Sequence, residues 1–191
     1  MIPDSALRLA GFLNEKNLEL AEKISKGWSS EIFLVKNRKG KKFAAKVEKQ
    51  KSQRKRMVEK EAANLKAANR IGIGPKLICF DCEKRIVLME FIEGIPFSKW
   101  LFQNPQKKHL QKCLDSLLEQ AKKLDEIGLS HGQLAGRGAN ILVKKNFLPI
   151  IIDFEKASQA RKSKNFNQLQ AFLFRNPKGS VAKKIREILE N

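Results

Sequence analysis

Apolar residues recur at steps of three and four from Leu110 to Leu124: Leu110, Cys113, Leu114, Leu117, Leu118, Ala121 and Leu124. That spacing draws one face of a long helix. A shorter stripe of Val58, Ala62 and Leu65 predicts a helix from about Lys55 to Asn69, stopped by Gly72 and Gly74-Pro75. Leu7, Leu9, Ala10, Phe12 and Leu13 predict a short helix after an Asp/Ser start. Elsewhere the apolar residues alternate or form short runs, which predict strands. Three of these lie at Leu18 to Ile24, Ile32 to Val35 and Lys42 to Val47, the last two joined by the turn Asn37-Arg38-Lys39-Gly40. Two more, Lys76 to Phe80 and Arg85 to Phe91, flank Asp81-Cys82-Glu83-Lys84. The character changes after Glu93-Gly94. Phe97 to Phe102 predicts one or two helical turns before the long helix, which Gly128 ends. A Gly-rich loop, Ser130 to Gly138, then leads to strands at Ile141 to Val143 and Leu148 to Ile152. Helices near Asn165 to Phe174 and Val181 to Leu189 follow.

This order predicts an α+β fold of two lobes. Residues 1–93 would form a five-stranded antiparallel sheet with one main helix, and residues 94–191 a mostly helical lobe with one hairpin. No run is apolar enough to span a membrane, and the start Met1-Ile2-Pro3-Asp4 lacks the pattern of a signal peptide. Cys79 and Cys82 form a C-x-x-C, but Cys113 is the third and last cysteine, and His109 and His131 are remote in sequence. A packed thiol at Cys79, alternating with Leu77, is expected rather than a zinc site. A reducing cytoplasm fits that usage.

The formal charge of +19 adds something the apolar pattern does not. Lys36, Arg38, Lys39, Lys41 and Lys42 crowd one turn, and Lys49, Lys51, Arg54, Lys55 and Arg56 follow with only Glu48 between the two groups. Such a chain either attracts polyanions, including RNA or a ribonucleoprotein, or carries a strongly solvated surface. Aromatic residues are scarce there, so contacts would go to a phosphate backbone rather than to stacked bases.

Candidate chemistry begins at Phe43-Ala44-Ala45-Lys46-Val47. Alternation puts Ala44 and Lys46 on one sheet face, a small residue leaving room for a flat ring with a cation beyond it. Glu61 borders the buried stripe of the second helix. There it either meets a cation such as a lysine of the adjacent sheet or sits at the edge bonded to water. Asn140 precedes the strand at Ile141, and Asp153 follows the strand that ends at Ile152. In an antiparallel hairpin those two positions converge. An amide and a carboxylate are hard oxygen donors that suit Mg²⁺, although each is also an ordinary turn residue.

These segments together resemble protein kinases. Ala44-Ala45-Lys46 is similar to their A-x-K strand, Glu61 to Leu65 to their helix C, and Leu88 to Gly94 to their hinge. His131-Gly132-Gln133-Leu134 with Asn140-Ile141-Leu142 resembles the catalytic loop, and Ile152-Asp153-Phe154 the start of D-F-G. The small size and the His-Gly start of the loop look most like the atypical RIO and Bud32-like kinases of archaea. The resemblance implies an ATP-dependent Ser/Thr kinase or ATPase using Mg²⁺. Lys46 would hold the α- and β-phosphates and pair with Glu61, while Asn140 and Asp153 would bind the metal. The ammonium of Lys46 would then face both of them across a gap wide enough for a triphosphate. Backbone groups at Glu90 and Ile92 would bond the adenine edge. Ile32, Ala44 and Leu142 would sandwich the ring, with Met89 behind it. Leu65, His131 and Phe154 would stack as a spine.

The chain also departs from that pattern. Lys26-Gly27-Trp28-Ser29-Ser30-Glu31 keeps one glycine of the phosphate-covering loop, leaving Gly27, Ser29 and Ser30 to cover phosphates. Gln133 stands where the family's catalytic aspartate belongs and can orient a hydroxyl or water but not take its proton. Glu155 is either a substitute acid or an exposed structural residue. Arg137, in a lengthened loop, either replaces the loop lysine of the family or caps the surface. No A-P-E motif follows Asp153, so no ordinary peptide platform is expected, and Gly132 replaces the arginine that reads activation-loop phosphorylation. A runner-up reading is a pseudokinase that serves as a nucleotide-gated RNA- or ribonucleoprotein-binding module.

Overall fold

The fold is known from a computed structural model that describes residues 4–49, 56–136, 138–160 and 162–190. It is α+β and divides into two compact units, Met1–Lys66 with Pro75–Phe91, and Ala67–Gly74 with Ile92–Asn191. Among the described residues, no helix is long and apolar enough to cross a membrane.

The first unit is built on a five-stranded sheet of order β1-β2-β3-β5-β4, antiparallel throughout. Its strands are β1 (Leu18–Lys26), β2 (Ser30–Asn37), β3 (Lys42–Glu48), β4 (Leu77–Asp81) and β5 (Ile86–Glu90). Alternation sorts the residues of β3, so that Phe43, Ala45 and Val47 turn to one face and are buried there. That face packs under helix α1 (Asp4–Lys16), whose Leu9, Phe12 and Leu13 join Phe33, Val35, Ile86 and Leu88 in one core. Burial of each such side chain contributes about 1.5–3 kcal/mol. Arg8 pins the helix further, donating to the carbonyls of Lys84 at 2.6 Å and Glu48 at 2.7 Å. Edge strand β1 is almost wholly exposed. Charged residues and two breaks in register along it discourage further strand pairing.

In the second unit, α4 (Lys107–Glu126) buries the predicted stripe of Leu110, Cys113, Leu114, Leu117, Ala121 and Leu124. Burial pushes the Cys113 thiol up to about 12, and all three cysteines are free thiols. The expected lone hairpin is instead a three-stranded sheet of β6 (Gly94–Pro96), β7 (Ile141–Lys144) and β8 (Pro149–Ile151). Gly94, read from sequence as hinge, pairs with Lys144. A Cβ there would stand 3.0 Å from the Val143 carbonyl oxygen and 3.1 Å from the Leu142 Cβ, so any larger residue would push β7 back by a few tenths of an ångström. Helix α3 is Phe97–Leu101, and α6 is Ser180–Glu190. The single helix expected near 165–174 is α5 (Asn165–Gln170) running into a π turn at Ala171–Arg175, closed by Asn176 N–H donating to Ala171 O at 3.1 Å. Helix α2 (Met57–Arg70) contributes residues to both units.

Candidate functional site

Five of the predicted residues gather on the sheet face opposite α1. Ile32 is the cross-strand partner of Lys46, and Ala44, two residues back on β3, is the partner of Met89 on β5. Ile32, Ala44 and Met89 are half-buried, so they offer a shallow apolar surface beside the lysine. The fifth is Glu61. Helix α2 buries Met57, Val58, Ala62, Leu65 and Ala68, and Glu61 lies one turn from both Met57 and Leu65 on the same face. Its Oε1 accepts a hydrogen bond from Lys46 Nζ at 2.8 Å, and the two side chains are only 4% and 7% exposed. Two charges that far from water persist only because each compensates the other. The alternative of a water-bonded Glu61 at the stripe's edge is thereby set aside.

The segment between β1 and β2 folds tightly. Gly27 N–H donates to Ser30 O at 2.8 Å, and Lys49 spans the turn, its N–H on Ser29 O at 2.8 Å and its Nζ on Gly27 O at 2.5 Å. Ser29 is half-buried and Ser30 buried, while Trp28 at the tip is 96% exposed. At the end of β5, Glu90 N–H donates to Lys76 O at 2.8 Å, which leaves the carbonyl as the group for any ligand at that residue. Ile92 is half-buried.

The second unit assembles its candidates around the backbone of one residue, Ile152. Ile152 N–H donates to Asn140 O at 2.9 Å, continuing the β7–β8 register in which Ile141 faces Ile151. On the other side, His131 Nε2 lies 2.9 Å from Ile152 O, to which it donates. Ile152, held through both its N–H and its carbonyl, fixes the start of Asp153, whose backbone is left-handed at φ 65°, a conformation aspartate tolerates better than most residues. Phe154 then turns into the core and meets the His131 ring edge-on, with centroids 5.0 Å apart. Of the expected spine, this pair is in contact, and Leu65 is buried in α2. Burial lowers the pKa of His131, and its Nδ1 has no hydrogen-bond partner, so the ring is neutral with its proton on Nε2.

Asn140 Nδ2 donates to Gln133 O at 3.3 Å, and Oδ1 is the amide's acceptor atom. A carboxylate at 153 and an amide oxygen at 140, held on neighbouring ends of one hairpin, fit a hard divalent cation that keeps several waters. The described residues contain no cluster of three or more His, Cys, Asp or Glu side chains, so such an ion would draw its remaining ligands from water and substrate. Gln133 and Leu142 are half-buried. Gly138, at φ +67°, passes close to α3: a Cβ would meet Phe97 Cδ1 and Ser98 N at 3.4 Å. Glu155 is half-buried in the short 3₁₀ turn Phe154–Lys156, and Arg137 lies outside the described residues.

A model of the RIO domain matches residues 11–175. This chain belongs to the RIO family. It is also 38% identical over 103 residues to an uncharacterized protein of Methanocaldococcus jannaschii, covering 53% of this chain and 83% of that protein. RIO proteins are atypical kinases or ATPases that generally bind ATP with Mg²⁺, so the kinase-like, ATP-binding and transferase character holds at family level.

Two residues that support this RIO loop escaped the sequence reading. Asn165, fully buried, accepts His131 N–H on Oδ1 at 2.9 Å and donates from Nδ2 to Leu129 O at 2.8 Å. Asp125, near the end of α4, accepts the N–H groups of Asn165 at 2.8 Å and Phe166 at 3.0 Å, and the Ser163 hydroxyl. It thereby caps α5 from another helix. Asn165 stands four residues before buried Leu169, so the signal was a polar residue on the apolar face of a short helix.

Proposed function

We propose that this RIO-family chain transfers the γ-phosphoryl group of Mg-ATP to a serine or threonine hydroxyl of a protein. The observation that carries the reading is the buried Lys46–Glu61 ion pair beside Ile32, Ala44 and Met89. A desolvated ammonium fixed next to a flat apolar surface suits a nucleotide whose phosphates follow its ring. In this reading Lys46 engages the α- and β-phosphates, and Gly27, Ser29 and Ser30 cover them. Ile32, Ala44 and Leu142 contact the adenine, Met89 lines its back, and the Glu90 carbonyl and the Ile92 backbone bond its edge. Asn140 Oδ1 and the Asp153 carboxylate hold Mg²⁺, which neutralises charge on the phosphate oxygens.

Gln133 shapes the chemistry. Its amide accepts a hydrogen bond from the acceptor hydroxyl and orients the oxygen toward phosphorus. The new P–O bond forms as the bond to ADP breaks, and the hydroxyl proton leaves to solvent rather than to a side chain. Lacking a carboxylate base lowers the rate by about 10²–10⁴-fold without removing the contribution of positioning. The same geometry supports transfer to water, and hydrolysis is the second reading that Gln133 favours.

The test incubates the purified chain with γ-labelled ATP and Mg²⁺ and follows both label on protein and released phosphate. Slow turnover is expected, abolished by Asp153→Asn and accelerated about 10²–10⁴-fold by Gln133→Asp. Phosphate release without protein labelling selects the hydrolase. Turnover that appears only with Gln133→Asp would overturn both readings in favour of a pseudokinase used as a nucleotide-gated binding module.

A further inference from the structure

The turn from Gly27 to Ser30 joins β1 to β2 with little help from glycine. None of its residues has a positive φ, and a Cβ at Gly27 would crowd Ser30 O at 3.3 Å. Hydrogen bonds set its shape, and one residue outside it, Lys49, supplies two of them. Lys49 N–H donates to Ser29 O at 2.8 Å, and Lys49 Nζ to Gly27 O at 2.5 Å. In a planar trans peptide the C=O and N–H point in opposite directions. Each carbonyl drawn to Lys49 therefore turns the next N–H, that of Trp28 and that of Ser30, away from it. Among the described residues, Trp28 N–H has no hydrogen-bond partner. Lys49 reaches this turn from the side opposite Lys46. The β2–β3 ladder continues through its N–H, and alternation puts its side chain with Phe43, Ala45 and Val47 on the α1 face. Glu31, the cross-strand partner of Val47, lies on that face too. Its carboxylate accepts Lys23 Nζ at 2.6 Å and the Ser5 hydroxyl at 3.1 Å. The hydrogen bond from Lys23 and, to a smaller extent, the charge of Lys49 hold it below the usual carboxylate range. Lys49 thus bonds the turn from behind, while Lys46 pairs with Glu61 on the other face.

We infer that Lys49 is a positioning residue for nucleotide binding: it fixes the β1–β2 turn in the form that presents N–H groups to the phosphates, and it touches no phosphate itself. The inference rests on the nucleotide reading above and deepens it, by assigning the order of the phosphate-covering turn to one side chain. A turn fixed before its ligand arrives loses less conformational freedom on binding. A turn stiffened by a lysine also has no need of further glycines, which accounts for the single glycine in Lys26-Gly27-Trp28-Ser29-Ser30-Glu31.

Titration calorimetry tests it on the whole chain with Mg-ATP, Mg-ADP and adenosine. Lys49→Met keeps the length of the side chain and loses its donor. It is expected to weaken Mg-ATP and Mg-ADP about tenfold or more and to leave adenosine within about twofold, because the lost bond has a charged donor and the turn covers phosphates alone. Lys49→Arg, which keeps a charged donor, should recover most of the loss. The control is Lys26→Met. Lys26 is exposed at the end of β1, and among the described residues its side chain makes no hydrogen bond or ion pair. That variant removes the same charge beside the turn and should bind all three ligands within about twofold of the natural chain. Unchanged Mg-ATP affinity in Lys49→Met would overturn the inference. So would equal weakening by Lys26→Met, which would make the effect one of charge, or an equal loss of adenosine, which would make it one of fold. A natural chain that binds none of the three ligands would contradict the nucleotide reading itself, and this inference with it.

Discussion

Lys46 and Asp153 are each held in place, but by different means. Lys46 is held by an opposite charge, Glu61, in surroundings where both are nearly excluded from water. Asp153 is half-buried, and the backbone that leads into it is fixed on both sides: Ile152 N–H is held by the Asn140 carbonyl and Ile152 C=O by His131. Asn165 and Asp125 then hold the loop that bears His131. A charge fixed by a charge ties ligand binding to stability, because neither partner can be removed cheaply. A carboxylate aimed by its neighbours' peptides can change chemically while the fold stays intact.

The largest effect follows from breaking the first arrangement. Glu61→Ala leaves a buried ammonium without its counter-charge and should cost about 3–5 kcal/mol in denaturant unfolding. Replacing both partners, Lys46→Met with Glu61→Leu, should return stability to within about 1–2 kcal/mol of the natural chain while abolishing stabilisation by Mg-ATP. In the second arrangement the costly position is Asn165. Asn165→Leu strands His131 N–H and Leu129 C=O in the interior, a loss of about 2–4 kcal/mol for the two groups together, measured the same way. Asp153→Asn, which keeps shape and tolerance of positive φ, should change stability by less than about 1 kcal/mol yet remove the Mg-ATP response.

The smallest effect is a pH dependence centred on His131. Burial lowers its folded-state pKa below the ordinary 6.5. The unfolded chain therefore takes up a proton as pH falls through about 6.5 while the folded chain does not. Its contribution to stability is complete above that pH and is lost progressively below it. His131→Gln should flatten the stability profile between about pH 6.5 and 5 relative to the natural chain, as followed by melting temperature.

Much of this was legible in the sequence because the responsible residues lie close together in it. The stripe of α4 and the alternation of β3 are local patterns, and both elements formed where the pattern put them. Glu61 was readable as a carboxylate at the margin of an apolar stripe, although its partner lies 15 residues away. Strand β6 was not readable. Two of its three residues, Gly94 and Pro96, disfavour strands, and the segment is extended because β7 supplies its partners. The π turn at Ala171–Arg175 carries no periodic mark either. Asn165 and Asp125 act through backbone groups 36 and 40 positions distant, and apolar periodicity does not report such bonds.

Thermal unfolding with and without saturating Mg-ATP, run in parallel on the natural chain, the Lys46→Met/Glu61→Leu pair and Asp153→Asn, tests most directly whether both arrangements serve one nucleotide. A ligand at about 100 times its dissociation constant should stabilise the natural chain by about 2.7 kcal/mol, and both variants should lose that gain. A gain that survives in either variant, or that is absent from the natural chain, would contradict it.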